Sequence, residues 1–151
     1  MRLHLTILAL ALLAVPPAAA ERVPLDAAGL NAESTHVLTG TVKAVYSRDV
    51  QSTLYGAGTV ETHSVLEIEV EAVEKGDNVK PKDVVYARCW RLKQRGADGL
   101  RPGPSGHFVP ADGARVRVYL HRGNYPPTGQ TDNGFAVVYP NGIELTPAAK
   151  K

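Results

Sequence analysis

Residues 59–73 read TVETHSVLEIEVEAV, and the alternation inside this stretch decides the fold class. Leu66, Ile68, Val70 and Ala72 fall on one side of an extended chain, with Glu67, Glu69 and Glu71 on the other. A helix would scatter these residues around its axis, whereas a strand separates them onto two faces. The spacing therefore predicts a long half-buried strand, closed by Gly76-Asp77-Asn78.

The same period recurs on both sides of it. His36 to Tyr46 alternates, placing Leu38, Val42, Ala44 and Tyr46 on one face and Thr39, Thr41 and Lys43 on the other. Gly40 inside this strand predicts a bulge or a tight bend. Residues 47–58 read as a polar connection. Asp83 to Leu92 gives a third strand, with Val84, Tyr86 and Trp90 on one face and Val85, Ala87 and Cys89 on the other. Arg115 to His121 gives a fourth, with Val116, Val118 and Leu120 inward and Arg115, Arg117 and Tyr119 outward. Phe135 to Tyr139 gives a fifth, and Asn141-Gly142 offers a tight primed turn into Ile143 to Leu145. No segment sustains helical periodicity, and no internal repeat is present. These features predict an all-β fold, a small antiparallel barrel of five to six strands, OB-fold-like and carrying long loops. The long second strand and the glycine in the first favour a barrel over a sandwich.

Outside the strands, the N-terminus carries an address. Arg2 supplies a positive start, Leu5 to Val15 an apolar run, Pro16-Pro17 a break and Ala18-Ala19-Ala20 the small residues that a signal peptidase reads. The run is shorter than the roughly 20 apolar residues that span a bilayer. The expected layout is a signal peptide over 1–20, a lead-in over 21–35 with at most one short helical turn, a single barrel domain over 36–146 and a flexible tail over 147–151. Cleavage after Ala20 leaves 131 residues with no membrane anchor, in a secreted or periplasmic location.

Composition narrows the function. The 151 residues carry 17 Lys and Arg against 15 Asp and Glu, a formal net charge of +2. That excludes a nucleic-acid binder built on bulk charge, and no nucleic-acid partner is expected. A single cysteine excludes an intrachain disulfide and a Cys-rich zinc site. His36, His63, His107 and His121 are too scattered for a ligand motif. No metal or cofactor is therefore expected.

The succession Val37-Leu38-Thr39-Gly40-Thr41-Val42, then Leu66 to Gly76, then Val84-Val85-Tyr86-Ala87-Arg88-Cys89, then Gly113 to Leu120 resembles the netrin-module and TIMP-like group of secreted OB-folds. In that group a "TG.V" strand precedes a "V.V.KG" strand, followed by a cysteine-bearing strand and a "G..YLV" strand. The resemblance covers positions 36–121 and implies a secreted barrel. The chain is also similar to small exported bacterial proteins of unassigned function, which implies no chemistry. Protease inhibition in the TIMP-like branch works through an N-terminal cysteine. Processing here would leave Glu21-Arg22-Val23, so that activity does not carry over.

Candidate chemistry rests on few residues. Arg88, Trp90 and Arg91 flank Cys89 and could lower its pKa toward a reactive thiolate; the plainer reading is a small buried hydrophobe. Gly103-Pro104-Ser105-Gly106-His107 is not a nucleophile elbow and reads as a turn. By parity His63 joins Glu61, Glu67 and Glu69 on an acidic strip that could hold a cation weakly, against the default of a solvated face. Arg88, Arg91, Lys93, Arg95 and Arg101 form the densest basic cluster; with Trp90 they could contact an anion or a glycan, or simply protect a strand edge. The loops Gln94–Ala114 and His121–Gly134 are long for a compact domain. Tyr55 and Tyr125 lie in loops that flank the ligand face of an OB-like barrel.

Two functions remain open. One is an exported non-catalytic module that binds a partner protein or a polysaccharide through Tyr55, Trp90, Arg91 and Tyr125. The other is a small exported thiol enzyme using Cys89, with His107 or His121 as base.

Overall fold

The computed structural model describes residues 23–52, 57–96, 106–122 and 134–147. One short helix, α1 (Ala27–Glu33), precedes six strands: β1 (His36–Gln51), β2 (Val60–Lys75), β3 (Val84–Gln94), β4 (Arg115–Arg122), β5 (Phe135–Val137) and β6 (Ile143–Leu145). The strand order β1-β2-β3-β5-β4 closes through a further β1–β4 ladder, so five strands make a closed barrel and β6 adds one more strand on β4. All ladders are antiparallel except β3–β5, which is parallel. The small all-β barrel expected from the alternation is the fold observed, with one parallel ladder where an antiparallel barrel was expected.

Its interior follows the predicted parity for most of the length. Leu38, Val42, Leu66, Ile68, Val70, Val85, Ala87, Cys89, Val116, Val118 and Leu120 form one continuous core with Phe135, Val137 and Ile143. Closure depends on Gly40. It faces Val70 on β2 and Val116 on β4 at once. A Cβ there would collide with the backbone carbonyl of Glu69 and lie 2.8 Å from Ile68 Cγ2. The expected irregularity is present, as a register shift between Thr39 and Gly40.

Three bulges correct the face assignments. The β1–β2 register skips Glu74, Glu71 and Lys43. Each skip flips the alternation, because one extra residue reverses which face follows. Beyond Lys43, Val45 packs against the core while Tyr46, expected inward, is 56% exposed. Beyond Glu71, Val73 packs against the core while Ala72, also expected inward, is exposed. The skipped residues are all charged and all ion-paired. Glu71 accepts from Arg115 Nε at 2.6 Å, Glu74 pairs with Arg117, and Lys43 meets Glu69 at 3.0 Å. A bulge thus re-aims each charge toward a partner at the surface.

Other expectations need amendment. β1 runs on to Gln51, so part of the expected 47–58 connection is strand. The lead-in forms seven residues of helix, about two turns rather than one. Asp26 caps it by accepting from Gly29 N at 2.7 Å, and Lys75 Nζ donates to the carbonyls of Asn31 and Ser34 at its far end. Leu30 seats on Val37, Tyr119 and Val138, which buries Tyr119 on the face expected to be solvated. Asn141-Gly142 makes no hairpin. β5 and β6 both pair with β4, at Leu120 to Arg122 and at Val116 to Val118, and do not pair with each other. Residues between them loop out, with the Tyr119 backbone accepting from Val138 N and donating to Gly142 O, each at 2.9 Å. β5 and β6 are one strand interrupted, not two strands folded back.

The segment after the long β3–β4 connection returns to the barrel wall. Gly106 bridges Arg91, and His107 N donates to Trp90 O at 2.7 Å. Gly106 holds φ +94, and a Cβ there would meet Trp90 O at 2.5 Å, so both conformation and space require glycine. Among the described residues, no helix is long and apolar enough to cross a membrane. The expected signal peptide lies outside the described residues.

Candidate functional site

Successive residues of a strand point to opposite faces, and this divides the residues that sequence grouped together on β3. Trp90 lies outside the barrel but is only 4% exposed. It stacks on Tyr139, with centroids 5.7 Å apart and planes at 13°, and His107 meets it edge-on at 6.3 Å. Ala136 completes this small outer cluster. Trp90 is thus a packing residue whose ring is covered by Tyr139 and His107.

Arg91 faces the other way, at the polar mouth of the barrel. There Asp49 accepts from Thr62 Oγ1 at 2.9 Å and pairs with Lys93, while Ser47 and Ser64 hydroxyls meet at 2.8 Å. Bonds from Lys93 and Thr62 hold the Asp49 carboxyl below its ordinary range. By parity Arg88 belongs to the outer face and Arg91 to the inner one, so the basic cluster is split; the β2–β3 register skips Lys93, and the alternation does not carry past it. Arg101, Tyr55 and Tyr125 lie outside the described residues.

The thiol has the environment of the plainer reading, that of a small buried hydrophobe. Cys89 is wholly buried in the main core. Burial pushes its pKa up to about 12, against the smaller opposing pull of Arg91. Neighbours in sequence therefore do not activate it: desolvation of the thiolate outweighs the nearby cation. His107 lies on the outer side of the wall, where its Nε2 donates to Val137 O at 3.2 Å and its Nδ1 accepts from Trp90 N at 3.3 Å. Burial lowers its pKa and keeps it neutral. It cannot serve as base for a thiol on the opposite side of the sheet. His121 sits at the end of β4 and is half-buried.

Two carboxylates of the acidic strip, Glu61 and Glu69, are paired within the protein. His63 Nε2 lies 2.7 Å from Glu61 Oε2, and Glu61 is itself buried. Glu69 is taken up by Lys43. Among the described residues no group of three or more His, Cys, Asp or Glu side chains could hold a metal ion.

What the fold does assemble is an aromatic face that strand-by-strand reading passes over. Register across β1, β2 and β3 sets Tyr46, Val65 and Arg88 in one row and Ala44, Glu67 and Tyr86 in the next. Tyr46 and Tyr86 are 56% and 52% exposed, and Tyr46 donates its hydroxyl to Glu67 Oε2 at 2.8 Å. That bond to the carboxylate raises the Tyr46 phenol above its ordinary range. Lys43 and Glu69 flank the rings on one side, with Val84 exposed beyond. Arg48 continues the outer face on the other side, opposite His63. Two half-exposed rings and a carboxylate between them offer flat apolar area with hydrogen-bonding groups, which suits recognition. They hold no nucleophile or acid–base pair.

Tyr86 is within reach of sequence reasoning, since it shares the predicted face of Val84. Tyr46 requires knowledge of the Lys43 bulge. Compared with protein-family models, curated proteins and solved structures, the chain matches none of them.

Proposed function

We propose that the chain is an exported, non-catalytic binding module whose ligand lies across the outer face of β1–β3. The observation that supports this most is the exposed pair Tyr46 and Tyr86 bracketing Glu67. In OB-fold barrels the strand 2–3 face is a common place for an extended ligand. Tyrosine supplies rigid contact area at little cost in conformational entropy, so it dominates interface energetics when truncated. The burial of Cys89 speaks against the thiol-enzyme reading.

Co-sedimentation with the insoluble envelope fraction of the producing cells tests this. Wild-type protein should pellet with that material. Tyr86→Ala should remain in the supernatant, and Lys80→Ala, in the exposed β2–β3 turn, should pellet like the wild type. Equal pelleting of all three would rule out the face as the binding surface.

A further inference from the structure

The chemistry of the face says what class of ligand it fits. We infer that the occupant is an uncharged, hydroxyl-rich glycan chain, and that Glu67 selects it. This rests on the proposed binding role of the β1–β3 face. Tyr46 and Tyr86 sit on strands two spacings apart, ~10 Å, so a ligand covering both rings must be an oligomer. Each ring presents its half-exposed surface to the apolar face of a sugar. Glu67 stands opposite Tyr86 in the β2–β3 register and takes one hydrogen bond from Tyr46. A carboxylate has about four acceptor sites, so roughly three remain for donors on a ligand. Sugar hydroxyls can donate there. Phosphates, sulfates and uronate carboxylates cannot, and they would meet a like charge at the centre of the face.

The cations are placed around that centre rather than in it. Lys43 is neutralised by Glu69. Arg88 lies beside Val65 and Arg48 beside His63, both toward the C-terminal end of β1. Their position makes an acidic glycan, anchored by arginine, the competing occupant for the experiment to distinguish.

The test is affinity electrophoresis and calorimetry of the exported protein with glucose and N-acetylglucosamine hexaoses, with an oligogalacturonate and with a dT15 oligonucleotide. At least one neutral hexaose should bind. Tyr86→Ala should weaken it by about tenfold or more. Glu67→Gln should also weaken it while raising affinity for the oligogalacturonate. Thermal melts establish that each variant is folded. Tyr86-dependent binding of the oligogalacturonate or dT15, lost with Arg48→Ala and not with Glu67→Gln, would overturn the glycan inference and leave the binding face standing. A folded protein that binds neither neutral hexaose overturns the inference too. Binding indifferent to both Tyr46→Ala and Tyr86→Ala would bring down the face and the inference together.

Discussion

Replacing Gly40 by alanine tests how the barrel closes. Gly40 lies in the Val37–Thr41 stretch of β1 that pairs on both sides, with Val70 on β2 and Val116 on β4 as its own partners. A methyl group there has nowhere to go: the Glu69 carbonyl and Ile68 Cγ2 already occupy its place. A flexible side-chain tip could swing away, but a carbonyl fixed in a ladder cannot. Restricting the unfolded chain by replacing glycine favours folding by about 0.4–1 kcal/mol. Overpacking a tight site costs about 1–3 kcal/mol, and a backbone clash belongs at the upper end. The net expectation is a loss of about 2 kcal/mol, which for a domain of this size lowers Tm by about 6–10 °C. Gly113 is the control. It holds φ +80, and nothing lies within 4 Å of the position a methyl group would take, so Gly113→Ala carries conformational strain alone, about 1 kcal/mol. Far-UV circular dichroism melts compare the two. If Gly40→Ala melts with or above the wild type, the close approach of β1 to β2 is not a constraint and barrel closure does not depend on this glycine.

Two further outcomes follow from the buried groups. Cys89 should resist a maleimide at pH 8 in the folded protein and label stoichiometrically in denaturant; rapid labelling of the native protein would contradict its burial in the core. His107 is held neutral by burial, below its ordinary 6.5, so the unfolded chain takes up that proton first as pH falls. Stability is therefore present above about pH 6.5 and drains away below it, at no more than ~1.4 kcal/mol per pH unit from this group. Urea melts of His107→Gln should show a flatter profile between pH 6.5 and 5, and an unchanged slope would remove His107 from the acid sensitivity.

The strands are legible in the sequence because their residues obey a period that survives any detail of packing. Leu66, Ile68 and Val70, and likewise Val116, Val118 and Leu120, can be placed inside from alternation alone. The errors fall where one residue is inserted. Lys43 and Glu71 each break the count, and parity carried past them puts Tyr46 and Ala72 on the wrong face. After Lys43 the sequence itself is ambiguous, because Val45 and Tyr46 are both hydrophobic and only cross-strand pairing decides between them. Parity places Tyr119 on the correct face but not its burial, because its cover is Leu30, a helix residue distant in sequence. Trp90 is ambiguous from the company of Val84 and Tyr86, and its cover, Tyr139 and His107, arrives from two later segments. The candidate site is the least legible, since it consists of what three strands place side by side on their outer face. Register across a sheet is a property of pairs, and a single strand read by itself contains only half of each pair.

Hydroxyl-radical footprinting read by mass spectrometry tests the binding face most directly. The protein would be exposed with and without a glucose or N-acetylglucosamine hexaose. Tyr46 and Tyr86 should be oxidised in the free protein and protected in the complex, while Phe108, exposed elsewhere on the surface, is oxidised equally in both. Unchanged oxidation of Tyr46 and Tyr86 on binding, with protection appearing at Phe108 or around α1, would contradict a ligand face on β1–β3.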